Sequence, residues 1–194
     1  MRIRRLTAIG VVLAMVGATA QADPVTGKAA RTMLYPTKIV EVEILPQSFL
    51  TDSDIAVIKQ VAVQQIYYAA IAMSPDEGLA SEATVAGANF HDTGAASVFA
   101  LAGCEATRAG ASPCVIVALL RPKGWEPRAL HLSRDATDIA RTDYQSAKAP
   151  KAFATSAATG LWAMAVGEGA GAAALAACAA KGEEVTDCAL VLAD

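Results

Sequence analysis

The chain is poor in aromatic side chains, in histidine and in surplus positive charge. Phe, Trp and Tyr together make up 5% of its 194 residues. Two histidines exclude a multi-histidine metal centre. Basic residues number 16 against 19 acidic ones, and no basic stripe runs along the chain. Nucleic acid and anionic membrane surfaces therefore do not fit as partners. No Cys-x-x-Cys pair occurs among the four cysteines, which removes the usual redox motif and the tight thiolate pairs of zinc sites. No Gly-x-Ser-x-Gly elbow is present, so the nucleophile turn of the α/β-hydrolases is missing. A Ser–His–Asp triad assembles in space rather than in sequence, so spacing alone does not decide it. After residue 22 no apolar run approaches the ~20 residues that span a bilayer.

What is present begins with an export signal. Arg2, Arg4 and Arg5 precede an apolar run from Leu6 to Val16, and Ala20-Gln21-Ala22 forms a small-x-small site. A positive start, a short apolar run and small residues at the end make a cleavable secretory signal over 1–22, with cleavage after Ala22. The expected location is periplasmic or secreted. Cleavage leaves 172 residues, enough for one domain over 23–194. Three arginines leave with the signal, so 16 basic residues become 13 against 19 acidic, a net charge near −6.

Residues 23–37 read as an irregular lead-in. Val40, Val42 and Ile44 alternate with Glu41 and Glu43, a period of two that predicts a strand over 38–45. Thr51-Asp52-Ser53-Asp54 offers a helix cap, and Ile55, Ile58 and Ala62 follow at helical spacing, which predicts a helix over 53–65.

An internal repeat then appears. Ala70-Ile71-Ala72-x-Ser74 followed by Gly78-Leu79 matches Ala152-Phe153-Ala154-x-Ser156 followed by Gly160-Leu161. Leu101-x-x-Cys104 matches Leu175-x-x-Cys178, and each second cysteine, Cys114 or Cys188, lies ten positions on and opens an apolar run. The first copy carries eight extra residues between its turn and its helix. Each copy, 66–120 and 150–194, reads as strand, strand, Ala-rich helix, strand. The predicted fold class is α+β: two ββαβ units with Ala-rich helices packed on antiparallel or mixed sheet, plus the N-terminal strand and helix. Between the copies, Ser133 can cap a short helix running to about Tyr144.

Four cysteines in an exported chain allow three pairings. Leu and Cys three apart share a helix face, and the strand cysteines point with Ile116 or Leu190. Helix and strand cysteines of one copy can therefore meet, which predicts Cys104–Cys114 and Cys178–Cys188. Each would stabilise the fold by about 2.5–3 kcal/mol in the chain-entropy model.

The chemical candidates are few. His91-Asp92 lies in the longer loop of the first copy; Asp92 suits a helix cap, and His91 beside it reads as a surface residue. His131, between Leu130 and Leu132, reads as an exposed strand residue. Gly167-Glu168-Gly169-Ala170-Gly171-Ala172 fits a loose nucleotide-binding fingerprint, though a tight strand-to-helix turn explains the glycines better. Trp125, Trp162, Tyr67 and Tyr68 fit core more readily than a binding surface. No cofactor and no metal is expected. The leading expectation is a non-catalytic binding protein whose partner is an envelope or periplasmic protein. The other is a small periplasmic hydrolase using His91 and Asp92.

The second copy, from Ala152-Phe153-Ala154 through Gly160-Leu161-Trp162-Ala163 to Cys178 and Cys188, resembles the DUF4189 type of small exported bacterial domain. That type implies a strand pair, an alanine-rich helix and a Cys-bounded strand. Over the whole chain, Ser74-Pro75-Asp76-Glu77-Gly78, Ser81-Glu82-Ala83-Thr84-Val85-Ala86, Asn89-Phe90-His91-Asp92 and Pro113-Cys114-Val115-Ile116-Val117-Ala118 look like a group of short exported bacterial proteins. Some of these carry the name 5-aminolevulinate synthase. That activity needs a large fold, a Schiff-base lysine and a partner for the pyridine nitrogen of pyridoxal phosphate, so the likeness carries no catalytic residue onto this chain.

Overall fold

A computed structural model describes residues 23–194; residues 1–22, the expected signal segment, lie outside the described residues. The elements in chain order are α1 (Gly27–Met33), β1 (Val40–Ile44), α2 (Asp52–Ala62), β2 (Ala69–Met73), β3 (Val85–Gly87), α3 (Thr93–Thr107), β4 (Val115–Pro122), α4 (Arg134–Arg141), α5 (Asp143–Ser146), β5 (Lys151–Ser156), β6 (Trp162–Val166), α6 (Ala170–Ala179) and β7 (Cys188–Ala193). The fold is α+β, with two antiparallel sheets ordered β1-β4-β2-β3 and β6-β5-β7. The two sheets are separate.

Alternation along the central strands sets the layers. In β2, Ala70 and Ala72 face α3, while Ile71 and Met73 face α2. In β5, Ala152 and Ala154 face α6, while Phe153 faces α1, α4 and α5. Successive strand side chains point to opposite faces, so small residues line the helix side and large ones the other. The helices answer in kind. α3 buries Ala96, Ala100 and Cys104, and α6 buries Ala170, Ala174 and Cys178, each set four apart and so on one stripe. Alanine against alanine lets helix and sheet approach closely but buries little area.

Both predicted disulfides form at the end of these stripes. Cys104–Cys114 and Cys178–Cys188 have Cα separations of 6.1 and 6.2 Å, within the ordinary range. They staple the weakly buried helices to the strands that follow them.

The two ββαβ stretches share details beyond element order. A register shift falls between Ile71 and Ala72 in β2 and between Phe153 and Ala154 in β5. The eight extra residues of the first stretch divide evenly around its second strand. Six residues separate Gly78 from Val85 where two separate Gly160 from its register equivalent Ala163. Eight separate Gly87 from Ala96 where four separate Ala165 from Ala170.

The expected strand at 38–45 and helix at 53–65 are present as β1 and α2, the latter opened by a Thr51–Asp54 capping box. β1 extends the first sheet beyond β4, and α2 covers its large-residue face. Three expectations are corrected. Residues 23–37 are not irregular throughout: Thr26 caps α1, and Val25 forms a parallel bridge to Leu192 of β7. The Asp194 carboxylate accepts from Gly27 N, a distant partner that local sequence does not announce. The strand expected to start at Ile66 starts at Ala69, because the main chain of Ile66 and Tyr68 bonds to Asn89 and Phe90 rather than to β4; Tyr67 and Tyr68 are buried, 1% and 2% exposed. His131 lies in no strand; its ring accepts from Arg128 N and packs against Tyr68 and Trp125.

Candidate functional site

His91 is buried, 5% exposed, which corrects its expected place on the surface. Four of the extra residues of the first ββαβ stretch, 88–91, carry it away from β3 into a three-way joint. Its Nδ1 accepts from Ser133 N at 2.8 Å, and its Nε2 lies 3.1 Å from Leu161 O. The main-chain N–H of Ser133 can only donate, so Nδ1 is the acceptor and the proton sits on Nε2. Burial holds the imidazole pKa below its usual 6.5, against the opposing pull of the Leu161 carbonyl and of Asp92 and Asp187. His91 therefore stays neutral and bridges the first stretch, the N-cap of α4 and the turn of the second stretch.

Asp92 caps α3 as expected, its Oδ1 accepting from Ala95 N at 2.8 Å. No hydroxyl, thiol or carboxylate occupies either ring nitrogen of His91. The buried Ser156 hydroxyl is donated to Asp187 at 2.6 Å and accepts from Thr159 at 2.7 Å. Burial raises the Asp187 pKa, but the Ser156 hydroxyl and the Ala158 N–H more than offset it and hold it below the ordinary value. Geometry therefore gives His91, Asp92 and Ser156 hydrogen bonds that hold main chain together rather than a nucleophile and its base.

The Ser156–Asp187 tie has a counterpart in the first stretch with the donor side exchanged. There the turn supplies the acids: Asp76 accepts from Ser112 N and Oγ at 2.7 and 2.9 Å, and Glu77 accepts from Ala109 N and Gly110 N. In the second stretch the acid comes instead from the segment before Cys188. Each tie fixes the turn after the central strand to the loop that leads into the last strand.

Gly160 completes the joint. Its φ is +73°, and a Cβ there would lie 2.6 Å from Asn89 O and 2.9 Å from Phe90 Cα. The glycine pair of the loose nucleotide fingerprint serves the chain reversal into α6: Gly167 and Gly169 have φ of +100° and +74°, and Gly169 is the helix N-cap. No phosphate is needed to explain them.

Open concave surface lies elsewhere. A cleft of about 240 Å³ runs between α2 and the first sheet, lined by Val57, Ile58, Val61, Ile71, Leu79 and Ala86. It continues past Val57 and Leu79 to an end flanked by Asp54 and Glu77. Val57 and Val61 stand 45% and 47% exposed along its rim. The Asp54 pKa is lowered by the Thr51 hydroxyl and N–H that it accepts from, so that end is negatively charged at neutral pH. Sequence alone does not mark this cleft, because Val57 and Val61 sit one position before the buried Ile58 and Ala62 and helical spacing does not separate rim from core. In a second hollow, beside Glu41, Glu43 and Arg121, the arginine pairs with Glu43 and lies over the Trp125 ring at 4.6 Å, while Glu41 accepts from Gly124 N.

Fold and site together define an α+β protein of two disulfide-stapled sheets, joined through a buried neutral histidine and carrying an apolar cleft with an acidic end. No helix among the described residues is long and apolar enough to cross a membrane, and no cluster of metal-ligating residues occurs among them. No family model, curated protein or solved structure matches the chain.

Proposed function

We propose that the chain is an exported, non-catalytic binding protein, built from two copies of one DUF4189-like unit, whose α2 cleft receives an apolar side chain of an envelope or periplasmic protein. The observation that carries this reading is the exposed valine pair, Val57 and Val61, standing over an apolar cleft. Its inner part beneath α2 holds about 240 Å³, below the 300–1,000 Å³ typical of small-molecule sites, and opens at Val57 and Leu79 into a wider hollow. It suits a single inserted anchor of a partner chain, and its Asp54 and Glu77 end suits a lysine or arginine following that anchor. Export accounts for the signal-like residues 1–22 and for two disulfides in 172 residues.

A photo-reactive amino acid placed at Val61 in the exported protein tests the reading in cells. The expected result is a discrete adduct with one partner, absent when the same group replaces exposed Glu183 and lost when Val57 is changed to Asp. Absence of any adduct from position 61 would overturn the proposal.

A further inference from the structure

The four sheet edges are not equally protected. β1 carries Glu41 and Glu43, β3 is three residues long, and β7 is covered by Val25 through Val25 N to Val191 O and Ala193 N to Val25 O. Charge, shortness and cover are the devices that stop an edge from recruiting another strand. β6 has none of them within its own residues. Its sequence, Trp162-Ala163-Met164-Ala165-Val166, contains no charge and no proline, and Val166 is 52% exposed.

The register of β6 against β5 shows which of its backbone groups are free. Ser156 N donates to Leu161 O, and Gly167 N donates to Pro150 O. In an antiparallel pair the hydrogen-bonded residues alternate, so Ala163 and Ala165 also turn their N–H and C=O toward Ala154 and Ala152. Trp162, Met164 and Val166 then present three N–H and three C=O groups outward. A groove of about 480 Å³ runs along this edge, lined by Ile139, Asp143, Met164, Ala165, Ala177 and Lys181; the Lys181 ammonium lies over Trp162, which shares a strand face with Met164.

We infer that β6 pairs antiparallel with β6 of a second copy of this chain, about a twofold axis through Met164, to make one continuous six-stranded sheet. The free groups are symmetric about Met164, so Met164 opposite Met164 and Trp162 opposite Val166 satisfies all of them on both chains. Large Trp162 then meets smaller Val166 on each side. The charges agree with that axis. Lys181 Nζ lies 4.4 Å over the Trp162 ring, at one end of β6. Asp143 precedes Tyr144, which packs on Phe153 and bonds to Lys151, the partner of Val166, and so lies toward the other end. The twofold brings Lys181 of each chain toward Asp143 of the other.

Sedimentation equilibrium of the mature protein, with variants, tests this. Wild type is expected at twice the chain mass, and Val166→Lys at one chain mass with an unchanged circular dichroism spectrum. Asp143→Lys is expected to weaken the dimer at least tenfold, and Asp143→Lys with Lys181→Asp to restore it. Met164→Cys should give an intermolecular disulfide under oxidising conditions, since residues of a hydrogen-bonded antiparallel pair lie about 5.5 Å apart at Cα. Trp162→Cys, which opposes Val166, should not. A wild-type mass of one chain at every concentration, or a dimer that survives Val166→Lys and gives no Met164→Cys crosslink, overturns the inference. So does capture of an unrelated strand by β6 in place of its own copy.

Discussion

Protonating His91 would set an N–H against the Ser133 N–H that Nδ1 now accepts from. In an unfolded chain the ring takes its proton near pH 6.5, while burial makes the folded ring resist it. Below about pH 6.5 the unfolded state therefore binds more protons, and stability falls as pH falls. Urea unfolding at about pH 7 and pH 5 should show this decline in the wild type. The decline should be smaller in His91→Gln, which is less stable at neutral pH but has no imidazole to protonate there. Part of the slope should remain in that variant, because burial also lowers the His131 pKa. Two glycines make a second residue-scale comparison. Gly78 has φ +77° and open space where a Cβ would go, whereas Gly160 has φ +73° and would meet Asn89 O. Gly78→Ala should cost about 1–2 kcal/mol from backbone strain alone. Gly160→Ala should cost clearly more, because the contact with the first stretch must open as well; thermal melts of both variants measure the difference. The sequence allowed Asp92 to be recognised as a cap, since cap and helix are neighbours. It did not reveal His91 as a joint, since Ser133 and Leu161 lie 42 and 70 residues away.

The ββαβ elements were legible because their signals are local. The matched Ala-x-Ala-x-Ser segments at 70–74 and 152–156, together with alanine-rich stretches ending at a cysteine, suffice to place strands, helices and disulfides. α1 was not legible: beyond its local Thr26 cap, what anchors it is distant, with Gly27 N donating to Asp194 and Val25 bridging Leu192. The two stapled helices differ in what else holds them. α3 has fifteen residues and the Asp92 cap, whereas α6 has ten, no side-chain cap and a left-handed Gly169 at its start. Replacing either cysteine pair by alanine should cost about 2–3 kcal/mol. Loss of Cys178–Cys188 should in addition free α6, raising amide exchange over Ala170–Ala179 far more than loss of Cys104–Cys114 raises it over α3. Hydrogen-exchange mass spectrometry of the two double variants would show the asymmetry, and equal protection of both helices would contradict it.

For the whole molecule, whether the two ββαβ stretches share a sheet could not be read from their similarity, because that depends on which faces other segments cover. Here α2 covers the large-residue face of one sheet, and α1, α4 and α5 cover that of the other. A fragment of residues 146–194 would expose Phe153, Trp162, Met164 and Leu192 to water, since Leu130, Leu132, Ala136, Ala140 and Tyr144 would be gone. Expressed alone in the periplasm it should be unfolded or aggregated, at a size too small to bury a sufficient core. A sharp cooperative melt with dispersed amide signals would show instead that the second stretch stands by itself. The pairing of Val25 with Val191 and Ala193 bears on timing as well as on cover. Under the proposed export, a chain threaded N-terminal end first delivers Val25 early and its partner strand some 165 residues later. Until then β7 is missing from its sheet, Cys178 has no Cys188 to bond, and Gly27 N lacks the Asp194 carboxylate. On that reading the second sheet closes only once residues 188–194 have arrived, and β5 lacks its partner strand until then.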